Sequence, residues 1–118
     1  MNKQNTLLDD DKKIWLEEDM FMINIAQFDG FSVDYLEIFP NAIEENVIHN
    51  SCDEWIYVLE GSLLFFRGED KIELNKGDYV EVPINTVHGS INKSNETVKI
   101  LSVCSPPFQL DFIKKVCQ

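Results

Sequence analysis

Histidine is nearly missing from this chain: 118 residues contain only His49 and His88. Cations are scarce as well, with 10 Lys and Arg against 21 Asp and Glu, for a formal net charge of −11. A surface that acidic repels phosphate backbones and anionic lipid, which argues against nucleic-acid and membrane-surface binding as functions. No apolar run approaches the roughly 20 residues that span a bilayer. The opening MNKQNTLLDDDKK has no apolar signal core, so a cytoplasmic location is expected. Cysteine is limited to Cys52, Cys104 and Cys117, odd in number and without a CxxC pair, which argues against a disulfide framework and for free thiols in a reducing compartment. No P-loop, dinucleotide fingerprint or Ser-His-Asp order is present. No long helix-period segment separates the apolar blocks, which argues against a βαβ architecture.

What remains is a chain with 44% hydrophobic and 11% aromatic residues, enough for one compact β-rich domain. Residues 1–12 read as a flexible arm, and residues 13–118 as a single domain. Asp29-Gly30 lies between two apolar blocks, Met20–Phe28 and Phe31–Phe39, and predicts a hairpin. Residues 41–53 read as polar and irregular. Strands are then predicted over Trp55–Glu60, Leu63–Arg67, Lys71–Leu74, Tyr79–Val82, Val87–Ile91 and Thr97–Cys104, separated by Gly-, Asn- and Pro-bearing turns. Phe108–Val116 fits both strand and helical spacing, with a strand running into irregular structure preferred. Short strands with frequent turns imply a sandwich or barrel.

Two motifs stand out on this background. HNSCDEWIYVLEG covers residues 49–61, and GDYVEVPINTVHGSIN covers residues 77–92. Together they resemble the paired motifs of the cupin superfamily. In the first, Glu54, six residues and Gly61 are in register, and His49 matches the second family histidine. Val47 stands where the first histidine would fall. In the second, Gly77, Pro83, His88 and Asn92 are all in register, with Asn85 in place of a glycine. Asparagine enters the left-handed region more readily than other non-glycine residues, so this turn is expected to survive. The resemblance implies an all-β fold, a double-stranded β-helix or jelly-roll barrel of the small single-domain cupin type.

The same resemblance implies a divalent metal inside the barrel. The residues left to hold it are His49, Glu54 and His88, a two-histidine, one-carboxylate set suited to Fe(II), with Mn, Ni, Zn and Co as alternatives. The bland reading is also open: a cupin that has lost one ligand and the metal would keep these residues as hydrogen-bonding groups. Strand alternation puts Glu54, Ile56 and Val58 on one face, and His88, Ser90 and Asn92 on one face. Candidate pocket residues are Ile56 and Ser90 by this parity and Asn50 and Cys52 by their nearness to His49 and Glu54, with Tyr35 and Phe65 as wall candidates for which plain core is the preferred reading. No residue is singled out as catalytic. The expected ligand is a small organic molecule, and the expected assembly a homodimer through the outward Trp55 and Tyr57. Metal-centred oxygenase, isomerase or lyase chemistry competes with a non-catalytic binding or sensing role, because the fold alone selects neither.

Overall fold

The structure, a computed structural model, describes residues 8–109 and the backbone of 113–115. Eleven strands are described: β1 (Ile14–Glu17), β2 (Met20–Gln27), β3 (Ser32–Ile38), β4 (Ile43–His49), β5 (Asp53–Glu60), β6 (Leu63–Arg67), β7 (Asp70–Leu74), β8 (Tyr79–Val82), β9 (His88–Ile91), β10 (Val98–Ser105) and β11 (Ile113–Lys115). A single 3₁₀ turn, Asp10–Lys12, precedes them, within the segment read as an arm. Residues 1–7 of that segment lie outside the described residues, as do Leu110–Phe112 of the tail.

The strands form two antiparallel sheets. The order in one is β1-β2-β3-β10-β5-β8, and in the other β11-β4-β9-β6-β7. This is the jelly-roll arrangement. Alternation explains how the sheets close on each other. In β5 the pattern of buried Glu54, Ile56 and Val58 against outward Trp55 and Tyr57 follows the two-residue period. In β10 Val98, Ile100, Ser102 and Cys104 are buried. The space between the sheets is filled by Met20, Ile38, Ile56, Leu63, Phe65, Val98 and their neighbours. Each such side chain contributes roughly 1.5–3 kcal/mol on burial.

The segment 41–53, expected to be irregular, contains β4. Its polar run Glu44-Glu45-Asn46 disguises a strand that pairs with β9 on one edge and β11 on the other. The register shifts between Glu44 and Val47, so a bulge breaks the period by which the strand would have been read. Beside the bulge sits Gly89, where an added Cβ would meet the Glu44 carbonyl oxygen at 2.6 Å. Only glycine permits β9 to lie that close.

Candidate metal centre

The bulge decides which residues of β4 face inward. Glu44 lines the interior cavity before it and His49 after it, although an unbroken two-residue period would set them on opposite faces. β5 brings Glu54 from the other sheet. His88 opens β9 after a turn in which Asn85 has φ +64°, the left-handed conformation its identity allowed. The Asn85 N–H donates to the His49 carbonyl at 2.9 Å, tying the turn before one histidine to the backbone of the other.

His49, Glu54 and His88 are all buried, and their potential ligand atoms lie within 4.8 Å of one another. His49 Nδ1 is 3.5 Å and His88 Nε2 3.6 Å from the same oxygen, Oε1 of Glu54. The two rings meet edge to face at 4.8 Å between centroids. Two ligands about 2.1 Å from a tetrahedral metal stand about 3.4 Å apart, so the two Glu54–histidine spacings suit a divalent ion, while the set as a whole, 4.8 Å across, would draw in to hold it. The donor set fits as well, since imidazole and carboxylate together suit borderline and hard divalent cations.

Each group is held by a neighbour. His88 Nδ1 lies 2.9 Å from the Thr86 carbonyl, to which it donates, leaving Nε2 with its lone pair towards Glu54. The Ser102 hydroxyl donates to Glu54 Oε2 at 2.5 Å, leaving Oε1 to the histidines. The electrostatics separate the two rings. Burial pulls His49 down, but the Cys52 hydrogen bond and the charges of Glu54, Cys52 and Glu44 outweigh it, and its pKa is raised. For His88 burial dominates, aided by His49, and the pKa is lowered despite Glu54 and the Thr86 carbonyl. The second imidazole is therefore the one held neutral, the form that ligates.

A thiol pair stands behind the centre. Cys52 Sγ is 3.9 Å from His49 Nδ1, and Cys104 Sγ is 3.8 Å from Ser102 Oγ. A hydrogen bond between Cys52 and Cys104 lowers the Cys52 pKa to about 6 against the effect of burial, with His49 adding to it. The same bond and burial push Cys104 up.

The cavity beside the ligands has a volume of about 40 Å³, room for roughly three waters. Of the residues expected at the pocket, Ile56, Phe65 and Ser90 line it. Tyr35 does not. Its neighbours Asp34 and Leu36 face the cavity, and its hydroxyl donates to Glu37 at 2.8 Å on the opposite face of β3. Asn50 is exposed and accepts from Ser51, away from the ligands. Cys52 is buried but touches His49 from outside the cavity wall. Val58 and Asn92 are also buried outside that wall. Val58 belongs to the core, and the Asn92 amide bonds the Ile38 and Glu96 carbonyls.

Asp34, Glu44, Ser102 and Phe108 line the cavity without having been singled out in the sequence. For Asp34 a signal existed: it shares strand parity with Leu36 and Ile38, so a charge falls on an apolar face. For Glu44 the bulge erased the signal.

Comparison with known proteins agrees with this architecture. The family model described as "Cupin domain" matches residues 35–104. This chain belongs to the cupin family. Over 60 residues the cupin is 37% identical to the uncharacterized protein MJ1618 of Methanocaldococcus jannaschii, a match covering 51% of this chain and 48% of that one. The match thus spans about half of that relative's length. Among solved structures, the fold resembles KdgF from Halomonas sp., with TM-score 0.76 and 17% identity over 92% of this chain and 98% of that one. It also resembles the polyketide cyclase RemF from Streptomyces resistomycificus, with TM-score 0.77 and 22% identity over 100% of this chain and 87% of that one. At these identities the likeness concerns the fold. Among the described residues no helix is long and apolar enough to cross a membrane.

Proposed function

We propose that this cupin holds a divalent metal on His49, Glu54 and His88 and uses it to act on a small organic molecule in the barrel. The observation that carries the reading is the closeness of three buried donor atoms, from strands of both sheets, beside a largely apolar cavity. Such a metal supplies Lewis acidity or, if iron, a site for O2, the chemistry of oxygenases, isomerases and lyases. The chain's own residues do the rest. Thr86 fixes the His88 tautomer, Ser102 orients Glu54, and Phe65 and Phe108 restrict water beside the histidine rings.

A second reading, a non-catalytic binding or sensing cupin, is favoured by one observation. Apart from the candidate ligands, the cavity's only titratable side chains among the described residues are Asp34 and Glu44. We further read residues 13–118 as one barrel domain behind a short arm, working in the cytoplasm as a homodimer. The outward, stacked Tyr57 and Tyr79 rings, 5.5 Å apart, support the dimer reading.

The test is elemental analysis of protein purified without a metal-affinity tag, together with His88→Ala. Near-stoichiometric metal that disappears in the variant is the expected result. Wild-type protein that stays metal-free after Fe(II), Mn(II), Ni(II) and Zn(II) are offered would overturn it and leave the binding reading.

A further inference from the structure

Apart from the two histidines, the ionisable side chains on the cavity wall are all acidic. Asp34 enters from β3, Glu44 from β4 and Glu54 from β5, and among the described residues no lysine or arginine lines the cavity. Arg67, on a strand adjoining β9, is spent elsewhere, on Asp70 at 3.5 Å and the Glu81 carbonyl at 2.9 Å. Glu54 has the two histidines; Asp34 has no such partner. It is 2% exposed, and its Oδ1 accepts from the neutral Asn24 amide at 2.9 Å. Among the described residues its Oδ2 receives no hydrogen bond, and neither oxygen forms an ion pair. Burial raises the Asp34 pKa against the Asn24 hydrogen bond, and the nearby Glu54 charge raises it further.

A buried carboxylate on a largely apolar wall, with only a neutral amide for a partner, is costly as an anion until a cation reaches it. Most of the rest of the wall is hydrocarbon, with Met20, Met22, Leu36 and Phe65 on the lining. Among the described residues the wall offers an anion no lysine or arginine. The small volume limits the guest to a few heavy atoms.

We propose that this cavity selects a small organic cation, an alkylammonium whose N–H groups Asp34 receives and whose hydrocarbon lies against Met20, Met22, Leu36 and Phe65. The inference deepens the function proposed above and rests on the same cavity. Asp34 is then the residue that sets the charge class of the ligand.

The test is an NMR titration of the full chain, as purified and after chelator treatment, with propylammonium, propionate and propan-1-ol at equal ionic strength. Propylammonium should shift the amides of Asp34 and its cross-strand partner Ser102, with an affinity roughly tenfold above that of propionate. Asp34→Asn should erase the difference. Propionate binding as tightly in chelator-treated protein, no ligand shifting those amides, or a preference that survives Asp34→Asn would each overturn the proposal. The wild-type ranking needs no variant, so it decides even if Asp34→Asn fails to fold. A chain that takes metal but does not prefer propylammonium loses this inference and keeps the metal reading. A metal-free chain that prefers propylammonium does the reverse.

Discussion

Ser102 and Glu54 divide one carboxylate between two tasks. The hydroxyl donates to Oε2 at 2.5 Å, while Oε1 faces His49 and His88 at 3.5 and 3.6 Å. The serine thereby fixes which oxygen is offered to a metal. Ser102→Ala should lower metal affinity by about 10–100-fold, the usual cost of losing an outer partner of a ligand. It should also destabilise the fold by about 1–3 kcal/mol by leaving a buried acceptor unpaired. Metal titration and denaturant melts of the same variant would check both. Unchanged affinity would remove the orienting role.

Metal binding should weaken as pH falls, because imidazole ligates only when neutral. His49 has a raised pKa, so the loss should begin on the neutral side of the ordinary histidine value. His88, with a lowered pKa, should remain neutral further into acid and set the lower end of the transition. A metal titration between about pH 5 and pH 8 would show the fall. A flat profile would contradict it.

Asp34→Asn should stabilise the metal-free fold near pH 7. A carboxyl whose folded pKa is raised contributes most below its unfolded value of 3.8, and that contribution is lost as pH rises through the folded value. At neutral pH the wild type therefore carries the cost of a buried charge, which the amide avoids. A gain of about 1 kcal/mol, roughly 4 °C in Tm for a chain this size, is expected, shrinking towards pH 4. A gain that persists unchanged in acid would rule out this cause.

Gly89→Ala should cost about 1–3 kcal/mol, since the new methyl meets the Glu44 carbonyl oxygen at 2.6 Å and backbone must move on one side. His88 is the next residue, so metal uptake should fall in parallel. Calorimetry and elemental analysis would report the two losses. A stable variant with full metal content would show that the bulge tolerates a side chain.

The sheets and the candidate ligands were legible for different reasons. Alternation in β5 and β10 is regular, so the buried faces of Glu54, Ile56 and Val98 follow from the two-residue period. Asn85 and Gly61 mark turns by conformations that few residues adopt, and both have positive φ here. β4 escaped because its bulge falls within its most polar stretch. The same bulge hid Glu44. Tyr35 was offered as a possible wall on composition, whereas parity with Asp34 and Leu36 puts the cavity on the other face. Ser102 was illegible for another reason: a serine between apolar residues declares nothing until a carboxylate is found opposite it.

His49 and His88 stand on the five-stranded sheet and Glu54 on the six-stranded sheet. Any guest that needs all three atoms is consequently a rivet between the two halves of the sandwich. Its binding energy is withheld whenever the sheets part, so occupancy and closure rise and fall as one equilibrium. Hydrogen exchange should then slow across β5 and β9 together, in strands that share no ladder, rather than in the loops that carry the neighbouring turns.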